Sequence, residues 1–263
     1  MIHGMMMAVA VLVFCALAMA EVKVEPVTYQ GGGATLKGVI AYDDAAQGKR
    51  PGVVVFPEWW GLTDYPQGRA RQLAEAGYVA LAADFYGDGK TTDDAKQAGE
   101  WSAGLHKTPQ VMVERAQAAL ALLAKDARVD SSRLAATGYC MGGTVALHLA
   151  RSGADLKAVV AFHAGLANKD KSLAGPIKAR ILVCNGADDK FVTQKEYDAF
   201  ADEMRSAKAD WELVLYGGAV HAFSNPGADK HKDMGIAYNE SADRRSWKLM
   251  REWLEEAFAK TGK

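Results

Sequence analysis

The residues best suited to chemistry lie in Gly138-Tyr139-Cys140-Met141-Gly142-Gly143. An apolar strand pattern, Leu134–Tyr139, precedes Cys140, and an apolar helix pattern, Gly142–Arg151, follows it. A nucleophile on such a strand–helix elbow needs small neighbours, because the turn is tight and strained. The helix N-terminus behind it favours a thiolate and offers the Met141 N–H to a developing oxyanion. A cysteine there needs a base and an orienting acid. His221, in Gly217-Gly218-Ala219-Val220-His221-Ala222-Phe223, follows the last strand pattern. Asp188 and Asp189, in Gly186-Ala187-Asp188-Asp189-Lys190-Phe191-Val192, follow the strand before it. The order nucleophile, acid, histidine is the one this elbow predicts. The spacing to Val192 selects Asp189, leaving Asp188 as a loop-capping or solvated carboxylate. The other histidines, His3, His106, His148, His163 and His231, are expected to be structural or exposed.

The elements that must position these groups alternate. Strand patterns occur at Val22–Tyr29, Thr35–Tyr42, Gly52–Phe56, Tyr78–Ala83, Leu134–Tyr139, Ala158–Phe162, Arg180–Cys184 and Trp211–Tyr216. Helical patterns run over Tyr65–Ala76, Asp93–Leu105, Pro109–Lys125, Gly142–Arg151, Thr193–Ala207 and Ala242–Thr261. Continuous apolar runs such as Val53-Val54-Val55-Phe56 fit strands covered on both faces. Strands alternating with helices imply an α/β fold, mostly parallel, with helices on both faces. Sites in such sheets form at the carboxyl ends of the strands.

With those positions placed, the chain resembles the dienelactone hydrolase family over nearly its whole length beyond residue 20. The resemblance rests on Gly-Tyr-Cys-Met-Gly-Gly, Gly-Ala-Asp-Asp-Lys-Phe-Val, His-Ala-Phe and Pro57-Glu58-Trp59-Trp60-Gly61-Leu62. It implies an α/β-hydrolase fold with a central sheet of about eight strands. It also implies a Cys140–His221–Asp189 triad, a glutamate near the nucleophile at Glu58, and a second oxyanion donor at the Trp59 N–H. A carboxylate beside the cysteine could hold the resting thiol neutral by accepting its hydrogen bond, limiting oxidation. One departure bears on substrate. The family binds a carboxylate-bearing lactone through an arginine after the fourth strand. The matching stretch here, Asp84-Phe85-Tyr86-Gly87-Asp88-Gly89-Lys90, has none. Lys90 and Arg69 are the cations that could take its place. Trp59, Trp60, Phe85, Tyr86 and Phe223 fall near predicted strand ends, and an aromatic pocket for uncharged esters or lactones is expected, with Trp60, Phe85, Tyr86 and Phe223 contacting substrate.

Composition is that of an ordinary globular protein. The 263 residues are 49% apolar and 24% charged, with a formal net charge of -1. That balance suggests no nucleic-acid partner and no anionic membrane surface. The apolar run Met5–Ala20, ending in Ala18-Met19-Ala20, reads as a signal peptide cleaved after Ala20, without a preceding Lys or Arg. The expectation is export, to the periplasm or beyond, of one hydrolase domain over residues 21–263. Cleavage removes Cys15 and leaves Cys140 beside Cys184, a buried-strand thiol. No zinc-like spacing of Cys and His occurs, and neither metal nor organic cofactor is implied. The expected partner is a small-molecule ester, lactone or triester. An activated phosphotriester could be attacked by the same cysteine. A non-catalytic binding protein on the same fold, and a cysteine peptidase, are the readings of other kinds.

Overall fold

Runs that are apolar at every position can be buried only if both sides of the strand are covered. The third strand, β3 (Arg50–Phe56), shows how this is met in a computed structural model describing residues 21–168, 173 and 175–259. Val54 and Phe56 point into one core layer, and Val53 and Val55 into the other. The same alternation places Ile181 and Val183 on one face of β7 (Arg180–Gly186), with Leu182 and Cys184 on the opposite face. The proposed signal segment lies outside the described residues.

The remaining strands are β1 (Val22–Gly31), β2 (Ala34–Asp43), β4 (Val79–Ala82), β5 (Val129–Tyr139), β6 (Ala158–Phe162) and β8 (Trp211–Tyr216). They form one eight-stranded sheet in the order β1-β2-β4-β3-β5-β6-β7-β8. The β1–β2 hairpin is antiparallel and joins β4 antiparallel, and every other pairing is parallel. This is the mostly parallel α/β architecture expected from the strand patterns, with the eight strands of the α/β-hydrolase fold that the family resemblance implies. The helices are α1 (Asp64–Glu75), α2 (Ala95–His106), α3 (Pro109–Ala124), α4 (Met141–Arg151), α5 (Gln194–Ser206) and α6 (Glu240–Phe258). Leu73 of α1 packs with Met250 and Trp253 of α6 on one face. Met112 of α3, Val145 of α4 and Phe200 of α5 cover the other.

Two features escaped the sequence patterns. β5 begins at Val129, before its apolar run. A 3-10 segment, Pro226–Met234, follows the His221 loop. It is short and polar, with Ala228 its buried residue, and its Asn225 cap and Pro-Gly start are the local signals that announce it. A parallel bridge between His221 and Ile236 returns the chain to the sheet end.

Candidate active site

β5 ends at Tyr139 and α4 begins at Met141, so Cys140 alone makes the turn, with φ +55° and ψ -119°. A non-glycine residue holds that conformation only under constraint. The constraint is backbone packed on backbone. A Cβ on Gly138 would lie 2.0 Å from the Gly142 carbonyl oxygen, and one on Gly142 would lie 2.3 Å from that of Phe56. Neither neighbour is a side chain that can swing away. Gly142→Ala is therefore expected to cost about 2–3 kcal/mol, or roughly 5–10 °C in melting temperature. It should also lower activity, because it pushes apart the segments carrying Met141 and Trp59. Gly104→Ala, in α2 with open space around its Cα, should leave the melting temperature unchanged or higher. Calorimetry of both variants checks the pair.

The elbow aims Cys140 at His221. The Cys140 Sγ lies 3.0 Å from His221 Nε2, and His221 Nδ1 lies 2.8 Å from Asp189 Oδ2. Asp189 is 6% exposed, and its Oδ1 accepts the Phe191 N–H at 2.8 Å. Asp188 is exposed and makes no side-chain contact with the histidine. Burial disfavours a charged His221. The Cys140 charge and the bond to Asp189 outweigh it and raise the imidazole to about 10. Met141 opens α4, so its N–H has no acceptor within the helix and is available to a ligand.

Glu58, on the turn after β3, is 2% exposed and lines the same cavity as Cys140 and His221. Burial raises its carboxyl to about 7, against the opposing pull of Asn225, His221 and Arg69. Its position differs from the expectation in one respect. Among the described residues its hydrogen bond comes from Asn225 Nδ2, at 2.7 Å, and not from the thiol, which is engaged by His221. Asn225 in turn caps the 3-10 segment by accepting the Gly227 N–H at 2.8 Å.

The cavity above these groups has a volume of about 290 Å³. Trp59 and Trp60 line it as expected, and His231 stacks on Trp60 with ring centroids 4.5 Å apart and planes 17° from parallel. The other three aromatic residues lie elsewhere, which corrects the expected pocket. Phe85 is buried edge-on against Phe56 in the core. Phe223 is buried between Tyr216 and His163. Each fills the space just under a strand end, where a large apolar ring is more stable in the core than in a wet cleft. Tyr86 is partly buried and faces a neighbouring cavity, while its hydroxyl donates to the Trp59 carbonyl at 2.8 Å. That bond holds the peptide between Trp59 and Trp60.

The anion clamp is not restored by either candidate. Arg69 is buried, ion-paired with Asp243, and donates to the Ser224 carbonyl. Lys90 lines the neighbouring cavity with Tyr86. Asp84 instead organises its loop, accepting the backbone N–H groups of Lys37, Tyr86, Gly87 and Gly89. Cys184 is fully buried, which raises its thiol to about 12 and makes it a poor nucleophile at neutral pH.

Residues 36–258 match the model of the Dienelactone hydrolase family. The chain belongs to the dienelactone hydrolase family. This hydrolase is also 30% identical to Protein usf of Aquifex pyrophilus over 229 residues, covering 85% of this chain and 94% of that protein. Two solved structures share its fold closely. One, m3DLH, is 44% identical with a TM-score of 0.88, over 90% of this hydrolase and 99% of that chain. The other is described as a dienelactone hydrolase-like promiscuous phosphotriesterase from metagenomic libraries. It is 41% identical with a TM-score of 0.88, over 92% of this hydrolase and 100% of that chain. The hydrolase is thus an enzyme acting on ester bonds.

Proposed function

We propose that the enzyme cleaves uncharged or activated esters and lactones by acyl transfer through Cys140. The observation that carries this reading is the Cys140–His221–Asp189 line of contacts at 3.0 and 2.8 Å, at the base of a tryptophan-walled cavity. His221 Nε2 takes the thiol proton, and Asp189 stabilises the imidazolium. The Cys140 sulfur adds to the carbonyl carbon, and the displaced electron pair moves onto oxygen. The N–H groups of Met141 and Trp59 hold that oxyanion. Collapse breaks the ester C–O bond, and the leaving alkoxide takes the proton from His221. His221 then deprotonates a water that attacks the thioester, releasing the acid and restoring the thiol. The N-terminal apolar run supports action outside the cytoplasm.

A second electrophile is favoured by one observation: a relative 41% identical carries phosphotriesterase in its description. Neither Arg69 nor Lys90 lines the cavity, although Lys230 does, so its lining alone does not decide the charge of the substrate. An aryl dialkyl phosphate would place a phosphoryl group on Cys140, with aryl oxide leaving. The test compares p-nitrophenyl butyrate, an unsubstituted lactone and an aryl dialkyl phosphate on wild type and Cys140→Ala. Wild type should give a burst of p-nitrophenol and an acyl or phosphoryl adduct on the Cys140 peptide by mass spectrometry. Either activity surviving in Cys140→Ala would refute this site for that substrate.

A further inference from the structure

His163 follows β6, is fully buried, and has no part in the acyl-transfer steps. Its φ of +37° is unusual for a side-chain-bearing residue. The surroundings hold it there. Its N–H donates to the Cys184 carbonyl at 2.8 Å, and Asn185 clamps both the N–H and the carbonyl of the next residue, Ala164. The ring then makes two directed contacts. Nδ1 shares the Cys140 N–H with the Phe162 carbonyl, each lying 3.0 Å from that nitrogen, and Nε2 lies 2.9 Å from Ser224 Oγ. A peptide N–H can only donate, so Nδ1 carries no proton and Nε2 must carry it toward Ser224. The ring is therefore neutral. Burial, then the charges of His221 and Arg69, push its pKa well down and keep it so.

Ser224 lies three residues after His221, with its hydroxyl 2.8 Å from that of Tyr65 and its carbonyl held by Arg69. One imidazole thus ties the backbone of the nucleophile to the loop that carries the base. We propose that His163 is a positioning residue, a buried cross-brace that sets the alignment of Cys140 Sγ with His221 Nε2. It lies beside the His221 ring, with centroids 5.2 Å apart, and touches neither the thiol nor the substrate cavity. A core filler would need only volume. This position supplies a second, side-chain acceptor to the Cys140 N–H and a donor toward Ser224.

The proposal rests on the acyl-transfer reading, and two variants separate the brace from the filler. In His163→Asn the carboxamide oxygen can replace Nδ1 as acceptor. His163→Leu keeps similar bulk without one. Misplacing reacting groups by a fraction of an ångström costs about 10- to 100-fold, so His163→Leu should lower kcat by that factor with KM changed less than about three-fold. It should also raise the midpoint of the pH profile for iodoacetamide alkylation of Cys140, because the thiolate loses its aligned imidazolium. His163→Asn should recover most of both effects. Ser224→Ala, which leaves the fold's core volume nearly intact, should move the alkylation midpoint the same way by a smaller amount. Equal behaviour of the Asn and Leu variants in kcat and alkylation overturns the proposal, as does an unshifted profile in Ser224→Ala if His163→Leu fails to fold. Esterase activity surviving in Cys140→Ala would instead overturn the acyl-transfer reading, and the alkylation profiles would still decide the role of His163.

Discussion

Replacing Asp189 by Asn should lower turnover by about 1,000- to 10,000-fold with the fold intact, on the scale seen when a triad histidine is held in its wrong tautomer. The reason is local. Asp189 Oδ1 accepts the Phe191 N–H while Oδ2 faces His221 Nδ1. In the Asn variant the amide oxygen stays with the Phe191 N–H, so the NH2 group turns to the histidine. Nδ1 must then accept, and the ring proton moves to Nε2, where it faces the sulfur. A histidine in that tautomer cannot take the thiol proton. Asp188→Asn changes an exposed carboxylate and should stay within about three-fold, as is usual for substitutions away from packed or bonded groups. Steady-state kinetics on an aryl ester check both. Comparable losses would exclude Asp189 as the orienting acid.

Glu58→Gln should stabilise the protein at alkaline pH. Glu58 is buried, and its pKa rises from 4.5 to about 7. A carboxyl that is harder to ionise in the native state favours folding at low pH. That contribution is complete below the unfolded value and is lost as pH rises toward 7. The cost above pH 7 is about 3 kcal/mol by linkage, an upper figure for a group facing a cavity. Gln keeps the shape and can still accept from Asn225, but it carries no charge to desolvate. Its melting temperature should exceed wild type by roughly 5–10 °C at pH 8 and match it near pH 5. A constant difference across that range would mean that Glu58 does not titrate there. Because the gain comes from removing a buried charge at a cavity lined by Cys140, activity should fall as stability rises, the usual exchange at functional sites.

The strand–helix alternation and the glycine-flanked elbow were legible along the chain because each is a local pattern. Period-2 burial on both faces of a strand writes itself as an unbroken apolar run, as in Val53–Phe56. A nucleophile turn requires small residues at fixed offsets from Cys140. The choice of Asp189 over Asp188 was equally local: it rested on the spacing to Val192, and on the loop after β7 Asp189 is buried while its neighbour Asp188 is exposed. What the tertiary structure alone decided depends on contacts between distant segments. Glu58 finds Asn225 across 167 positions, and Cys140 finds His163 across 23. No spacing rule encodes either pairing, and a histidine after a strand looks the same whether it fills space or accepts a hydrogen bond. The aromatic residues divided for the same reason. Trp60 and Phe85 have similar sequence settings, but only packing decides which ring closes the core and which is left to face the cavity. Residue type and order thus specified which chemistry could occur, and the three-dimensional fold decided which groups stand close enough to control it.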